Sequence, residues 1–339
     1  MGSKLKYIIL VVLSCLCSMG VMGKITIFMI GDSTMANKPV DNDNPERGWG
    51  QMLQSLLDPE FVCVENHAMN GRSSKSFIDE GRWAVVLQRI KPGDYVFIQF
   101  GHNDEKTAER LHTVPGKSFD ENLRRFVNET RSRGGIPVLF NSIVRRNFRN
   151  NPDAVKEDDS FGKIKKGVKQ AKEGMRLVDT HGDYLKSPEV VAHETNAFFI
   201  DMNKISHQLV EGLGPEKSKK LFCWIPKGTC RACPEGREDN THLNVYGARL
   251  LSKLTTDVIV KEIKALSPFI RENDYVVAND GSGDFLELDK AVVFINNLVV
   301  PDEKPVKVLL RKGSYHGEDV KFSVPVNLVM EKEVEFEYK

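Results

Sequence analysis

The sequence has almost no net charge and lacks a long, unbroken apolar run. Its 48 basic and 47 acidic side chains leave a formal charge of +1. A nucleic-acid-binding protein carries a concentrated basic excess, so this near-balance argues against nucleic acid as a partner. The apolar stretch near the N-terminus is interrupted by Ser14, Ser18 and Gly20, which disfavours a retained membrane-spanning helix. Apolar residues nevertheless make up 40% of the chain, which is ample for a packed core.

The N-terminus has the three-part pattern of a secretory signal. Two lysines precede a mostly apolar segment, 7–22, and Val21-Met22-Gly23 places small residues where a signal peptidase cleaves. We therefore predict a signal peptide over residues 1–23 and a secreted or periplasmic protein, with no membrane span after cleavage. Ser14-Cys15 leaves a lipoprotein signal as an alternative, although the residues before it fit that pattern poorly.

Four cysteines remain after such a cleavage. Cys63 lies in an apolar run and is interpreted as a small buried hydrophobe. Cys223, Cys230 and Cys233 share one segment, and an oxidising compartment would allow two of them to form a disulfide. A zinc site is the alternative, but it has no convincing fourth ligand unless His242 is taken from another role. The pattern favours a disulfide or free thiols, and we expect no metal and no organic cofactor.

From residue 24 to about 266, continuously apolar runs alternate with helical patterns, as in strands covered by helices on both faces of a sheet. The predicted strands are Lys24–Ile30, Phe61–Glu65, Tyr95–Phe100, Pro137–Phe140 and Ala197–Ile200. The predicted helices are Gly48–Leu57, Arg82–Ile90, Phe119–Arg133, Met202–Glu211 and Val245–Lys264. Five such units predict an α/β domain over residues 24–267, with three layers built around a doubly wound, parallel, five-stranded sheet. The segments 145–195 and 212–238 are predicted to be irregular.

Two short motifs suggest a nucleophile and its base. Gly31-Asp32-Ser33-Thr34 directly follows the first strand, and Asp239-Asn240-Thr241-His242 lies on a predicted turn before the last helix. A serine hydroxyl is a weak nucleophile until an imidazole within hydrogen-bond reach takes its proton. A carboxylate three residues from the histidine can orient that imidazole. Each motif alone also fits a helix cap, because Asp, Ser and Thr are favoured there.

Two further motifs follow the second and third predicted strands. They are Asn66–Ser74, which contains Gly71, and Gly101-His102-Asn103-Asp104. The backbone N–H groups of Ser33 and Gly71 and the side-chain amide of Asn103 are suited to stabilising negative charge on a carbonyl oxygen. Gly and Asn are also ordinary turn residues, but four motifs in this order argue against coincidence. Together they have the layout of a serine esterase, with its site at the carboxyl ends of the strands.

These motifs resemble those of the SGNH (GDSL-type) hydrolases, and most closely the rhamnogalacturonan acetylesterases. The resemblance covers residues 24–266 and rests on Gly31–Ala36, Gly48-Trp49-Gly50, Asn66–Ser73, Phe100–Asp104 and Asp239–His242. It implies Ser33 as the nucleophile, His242 as the base and Asp239 as the orienting acid. By the same resemblance, Gly71 and Asn103 join Ser33 in the oxyanion hole. A Gly-x-Ser-x-Gly sequence is absent, which argues against an ordinary α/β-hydrolase.

The resemblance also implies a substrate: an acetylated pectic polysaccharide, most closely rhamnogalacturonan, deacetylated through an acetyl-serine intermediate. Arg72, Arg145 and Arg146 lie on loops at the site side and are candidates for binding galacturonate carboxylates, since a guanidinium matches a carboxylate in shape. Ordinary structural arginines are the alternative. The alternative functions are an esterase acting on acetylated xylan, other glycans or small acyl esters, and a non-catalytic polysaccharide-binding protein.

After residue 267 the sequence changes character. Residues 268–274 are a predicted linker, and the runs Tyr275–Phe285 and Val308–Tyr315 resemble the opening of pectin methylesterases. That family folds as a right-handed parallel β-helix, which requires several stacked coils for stability. We therefore predict that residues 275–339 form an incomplete parallel β-helix segment, the start of a truncated second enzyme without activity.

Overall fold

The structure is a computed structural model that describes residues 23–40, 43–150, 175–271, 273–296, 305–317 and 320–337. Nearly all of the predicted signal segment, residues 1–22, lies outside the described residues. The same holds for residues 151–174 of the segment 145–195. Within the described ranges, no helix is both long and apolar enough to cross a membrane.

The chain forms fourteen described strands and eight described α-helices. The strands are β1 (Ile25–Gly31), β2 (Val62–Asn66), β3 (Tyr95–Gln99), β4 (Ile136–Phe140), β5 (Phe148–Arg149), β6 (Arg176–Leu177), β7 (Phe198–Ile200), β8 (Phe222–Ile225), β9 (Arg237–Leu243), β10 (Tyr275–Val277), β11 (Val306–Leu310), β12 (Gly313–His316), β13 (Val326–Met330) and β14 (Val334–Glu337). The helices are α1 (Leu53–Leu56), α2 (Ser74–Asp79), α3 (Arg82–Leu87), α4 (Ser118–Ser132), α5 (Ser187–Thr195), α6 (Met202–Lys217), α7 (Val245–Glu262) and α8 (Leu288–Asn296). Short 3-10 helices occur at Trp49–Met52, Gly182–Leu185, Ser218–Leu221 and Lys264–Phe269.

A parallel sheet in the order β2-β1-β3-β4-β7 forms the centre of the molecule. Side chains of β1 alternate between its two faces: Ile27 and Met29 join one core cluster, and Phe28 and Ile30 join the other. The first cluster also contains side chains of α1, α6 and α7, and the second contains those of α2 to α5. The predicted three-layer α/β architecture with five parallel strands is therefore confirmed.

The strands β8 and β9 form an antiparallel hairpin outside the central sheet. The sequence predicted an irregular segment over 212–238, which is wrong for β8 but agrees with the loop over 226–236. It predicted a turn for the Asp239–His242 motif, which is wrong because the motif lies in β9. Polar residues fill β9, so no run of apolar side chains indicates a strand. The strand forms because β9 pairs with β8, where Phe222 lies opposite Leu243 and Trp224 lies opposite Glu238.

The C-terminal segment, 275–337, forms a parallel three-stranded sheet, β10-β11-β13, and a parallel pair, β12-β14. It has its own apolar cluster, in which side chains of α8 pack on β10 and β11. Residues 268–274, predicted as a linker, bond to the larger domain: Arg271 N–H donates to Leu56 O, and Phe269 O accepts from Asp58 N–H, each at 2.8 Å.

A buried arginine of α7 also reaches the C-terminal segment. Arg249 Nε donates to Asp274 O at 3.0 Å, and its Nη2 donates to Asn273 O at 2.8 Å. Its Nη1 lies 3.5 Å from Oδ1 of Asp284 and also bonds to Ser55 Oγ. The helix that follows the His242 motif is thereby joined to the start of the C-terminal segment.

Candidate active site

Ser33 lies on a tight turn at the carboxyl end of β1. Asp32 Oδ1 accepts hydrogen bonds from Thr34 N–H at 2.9 Å and from Thr34 Oγ1 at 2.8 Å, while Asp32 O accepts from Ala36 N–H at 3.0 Å. Asp32 is fully buried, and this burial raises the pKa of its carboxyl although the two Thr34 bonds oppose the change. The motif forms this turn instead of capping a helix.

The structure brings Ser33, His242 and Asp239 into line. Ser33 Oγ lies 2.9 Å from His242 Nε2, and His242 Nδ1 lies 2.8 Å from Asp239 Oδ2. Because an ionised carboxylate only accepts, Nδ1 carries the hydrogen and Nε2 is left to accept the serine proton. Helix α7 is capped by Asn244, whose side chain accepts from Gly247 N–H at 3.0 Å. The alternative interpretation of Asp239 as a helix cap is therefore wrong.

Asp239 is almost completely buried and strongly hydrogen-bonded. Its Oδ1 accepts from the N–H groups of Thr241 at 2.7 Å and His242 at 2.9 Å. Burial acts to raise the pKa of Asp239, but the hydrogen bond and charge of His242, joined by the charge of Arg237, outweigh it and lower the pKa to about 2. The carboxylate is thus ionised throughout the neutral pH range.

Arg237 is a residue of this site that the sequence analysis missed. Its Nη2 donates to Asp239 Oδ2 and lies 3.3 Å from His242 Nδ1. Its Nη1 pairs with Glu46, whose other oxygen lies 2.9 Å from Lys38 Nζ. No signal in the sequence indicated this role, because alternate residues share a face only in a strand, and the strand that carries Arg237 and Asp239 was not predicted.

Gly71 and Asn103 lie on the loops after β2 and β3, on either side of the Ser33 turn. The Gly71 loop is held against β1 because Met69 N–H donates to Gly31 O at 2.9 Å. Gly71 has a φ of +74°, a left-handed conformation that favours glycine. Within the described residues, the N–H groups of Ser33 and Gly71 have no hydrogen-bond acceptor. Asn103 Nδ2 donates to Arg72 O at 3.0 Å.

Asp104 connects these two loops. Its carboxylate accepts from Ser74 N–H at 3.0 Å, from Ser74 Oγ and from Thr113 Oγ1 at 3.0 Å. Ser74 begins α2, directly after the Gly71 loop. Burial raises the pKa of Asp104 to about 7, against the lowering effect of the bonds from Ser74 and Thr113. The Asp104 side chain therefore fixes the start of α2 relative to the Asn103 loop.

The predicted carboxylate clamp is contradicted for two of its three arginines. Arg145 and Arg146 are each only 4% exposed, and their guanidinium groups already have partners inside the protein. Arg145 donates to Glu105 and to Thr180 Oγ1, and Arg146 donates to Ser218 Oγ, Asn240 Oδ1 and Pro215 O. Their positions in the sequence indicated the correct side of the sheet but not the inward direction of the side chains.

Arg72 remains partly exposed on the Gly71 loop. Its Nε donates to Glu80 at 3.0 Å, and its Nη1 donates to Asn70 O at 2.9 Å. The bond to Asn70 O links the residues on either side of Gly71. In this conformation the guanidinium of Arg72 holds its own loop, and its predicted role in substrate binding stays a prediction.

Cys63, Cys223, Cys230 and Cys233 are free thiols in the structure. Burial raises the pKa of the Cys223 thiol far above its usual value, so it is not a reactive thiolate at neutral pH. Across the described ranges, no group of three or more His, Cys, Asp or Glu side chains is arranged to hold a metal ion.

Comparison with known proteins gives consistent similarities. The model of the GDSL-like lipase/acylhydrolase family matches residues 29–216. The chain is 35% identical over 235 residues to the rhamnogalacturonan acetylesterase RhgT of Bacillus subtilis, covering 69% of this chain and 89% of that protein. It is 31% identical over 241 residues to the probable rhamnogalacturonan acetylesterase YesY of the same organism, covering 71% of this chain and 93% of that one.

The fold is also similar to a solved structure. The crystal structure of YxiM from Bacillus subtilis superposes with a TM-score of 0.54 at 25% identity, and the match covers 72% of this chain and 58% of that one. From its sequence match, its relatives and its fold, the chain belongs to the GDSL-like lipase/acylhydrolase family.

Proposed function

We propose that this carbohydrate acetylesterase removes O-acetyl groups from rhamnogalacturonan. The observation that carries the proposal is the alignment of Ser33, His242 and Asp239, with contacts of 2.9 and 2.8 Å. Two relatives covered over most of their length are named rhamnogalacturonan acetylesterases, which supports this substrate in preference to acetylated xylan or small acyl esters.

In the first step, Ser33 Oγ attacks the carbonyl carbon of the acetyl ester. His242 Nε2 takes the hydroxyl proton as the new C–O bond forms. The carbonyl oxygen becomes negatively charged and is stabilised by the N–H groups of Ser33 and Gly71 and by the Asn103 amide. The bond to the sugar oxygen then breaks, and His242 returns the proton to that oxygen.

In the second step, water replaces the sugar. His242 Nε2 accepts a proton from the water molecule, whose oxygen attacks the acetyl-serine and forms a second negatively charged intermediate at the same donors. Collapse of this intermediate releases acetate and returns the proton to Ser33. In both steps the ionised carboxylate of Asp239 offsets the positive charge on His242, and its pKa of about 2 keeps it ionised.

The experiment compares acetate release from acetylated rhamnogalacturonan and acetylated xylan. We expect faster release from rhamnogalacturonan, and loss of at least about 10⁴-fold in kcat for Ser33→Ala. Covalent labelling of the wild type by a fluorophosphonate, absent in Ser33→Ala, would exclude a non-catalytic binding protein. Faster release from xylan would overturn the substrate but leave the esterase chemistry intact. An unlabelled and inactive wild type would overturn both.

We further propose that the protein is secreted or periplasmic and that residues 275–339 begin a parallel β-helix without activity of its own. The basic and apolar pattern of residues 1–23 supports export. The parallel pairing of β10, β11 and β13 and of β12 with β14 supports the β-helix. N-terminal sequencing of the exported protein tests the first proposal, and methanol release from methylated pectin would contradict the second.

A further inference from the structure

The orientation of the Asn103 side chain decides whether it can act in the oxyanion hole. A carboxamide has an NH₂ group that donates and an oxygen that accepts, so only one of its two orientations presents a donor to a negatively charged oxygen. Asn103 Nδ2 donates one hydrogen to Arg72 O at 3.0 Å. The second hydrogen of the same NH₂ group has no acceptor among the described residues.

The partner at the other end of this amide is Lys106. Its Nζ donates to Asn103 Oδ1 at 2.7 Å. An ammonium group has three donors and no acceptor, so it pairs with the amide oxygen and repels the NH₂ group. At the other end of the amide, Arg72 O can only accept, so it pairs with the NH₂ group and not with Oδ1. The two partners together select one of the two orientations of Asn103.

The backbone places Lys106 where this contact forms. Lys106 N–H donates to Asn103 O at 3.2 Å, and Glu105 N–H donates to Gly101 O at 3.2 Å. These bonds make a turn that brings the side chain three residues after Asn103 back over the amide. Asp104, inside the turn, is anchored to Ser74, so the turn itself does not depend on the Lys106 ammonium group.

We propose that Lys106 is a positioning residue for acyl transfer: it holds the Asn103 amide with its NH₂ group facing the oxyanion and polarises that group through its positive charge. The inference rests on the proposed esterase function and extends it to a residue outside the four motifs. Lys106 does not touch the substrate. In this proposal its effect on the oxyanion is transmitted through Asn103, and an experiment can isolate that effect.

The test measures kcat and KM for p-nitrophenyl acetate, a small ester that avoids any effect of polysaccharide binding. Lys106→Met keeps the apolar stem and removes the donors, and we expect kcat to fall about tenfold with little change in KM, since losing one oxyanion donor entirely costs about 10²–10³. Lys106→Arg, which also only donates, is expected to recover most of the activity. Lys186→Met is the matched control, because Lys186 pairs with Asp183 at an exposed site.

A double-mutant cycle separates this role from a structural one. In an Asn103→Ala background, Lys106→Met is expected to have no further effect on kcat, because the amide through which it acts on the oxyanion is gone. An equal decrease in both backgrounds, or an unchanged kcat in Lys106→Met alone, would overturn the inference while leaving the esterase function standing. A wild type that does not hydrolyse the ester would overturn the function and the inference together. Lys106→Ala replaces the Met variant if thermal unfolding shows that the latter is not folded.

Discussion

At the active site and at the junction with the C-terminal segment, a buried aspartate lies beside an arginine, yet the two pKa values shift in opposite directions. Asp239 accepts from the imidazole of His242, from two backbone N–H groups and from Arg237, and its pKa falls to about 2. Asp284 accepts from Val276 N–H at 2.8 Å, and its contacts with Ser55 and Arg249 are 3.4 and 3.5 Å long. Burial raises the pKa of Asp284 in spite of them.

The difference shows that a nearby arginine does not by itself lower the pKa of a buried carboxyl. Removing a carboxylate from water is strongly unfavourable, and several short hydrogen bonds are needed to offset it. The candidate site supplies them, and the proposed mechanism requires Asp239 to be negative when His242 becomes positive. The junction has no such requirement, and Asp284 serves as a buried link between α7 and the C-terminal segment.

The largest expected effect contrasts the two aspartates in catalysis. Asp239→Asn should lower kcat about 10⁴-fold, because an asparagine leaves the imidazole in the wrong tautomer. Asp284→Asn, the matched change at the junction, should leave kcat within about twofold, since it lies away from the reacting atoms. Acetate release under saturating substrate measures both. A comparable loss in the two variants would mean that the junction controls the active site.

The next effect concerns the stability of the fold, and it compares the buried Asp284 at the junction with an exposed aspartate. Asp284→Ala should lower the free energy of unfolding by about 3 kcal/mol, because the buried charge of Arg249 loses the carboxyl beside it and the Val276 N–H loses its acceptor. Asp183→Ala, which breaks the exposed pair with Lys186, should change it by less than about 0.5 kcal/mol. Urea unfolding monitored by circular dichroism measures the two. Equal values would show that the junction is hydrated and that the C-terminal segment is only loosely attached.

The smallest effect contrasts the signs of two pH dependences. A lowered pKa means that Asp239 stabilises the fold above about pH 4, its unfolded value, and that this contribution of about 2 kcal/mol disappears as the pH falls towards 2. The raised pKa of Asp284 has the opposite effect: its contribution to stability is greatest in acid and declines as the pH rises above about 4.

Urea unfolding of the wild type, Asp239→Asn and Asp284→Asn between pH 2 and 7 measures these slopes. Relative to the wild type, the two variants should diverge in opposite directions as the pH changes. Slopes of the same sign would contradict the opposite directions of the two pKa shifts.

The sequence predicted the central sheet almost to the residue, because its strands are buried on both faces and appear as uninterrupted apolar runs. Lys24–Ile30 was predicted where β1 is Ile25–Gly31, and Tyr95–Phe100 where β3 is Tyr95–Gln99. The hairpin was missed for the opposite reason: β9 is polar, and its order comes from pairing with β8, a contact that local patterns do not encode.

The candidate site shows the same division. The serine, the histidine and the aspartate of the predicted triad were found because their chemistry requires particular residue types behind particular strands. The predictions about arginine were poorer. The side chain of Arg145 points into the protein and bonds to Glu105. Arg237, which was not predicted as a site residue, bonds to Asp239. The direction of a long side chain depends on tertiary partners, and no spacing rule in the sequence specifies them.

The two parts of the proposed catalytic site are held by different elements of the fold. Ser33, Gly71 and Asn103 follow the adjacent strands β1, β2 and β3, so two backbone ladders fix their mutual spacing. His242 and Asp239 belong to the separate β8–β9 hairpin. A small displacement of that hairpin would therefore slow proton transfer and leave the anion-binding geometry as it was. Replacing the hairpin with one of a different sequence would therefore change proton transfer while the geometry that binds the negatively charged oxygen stays the same.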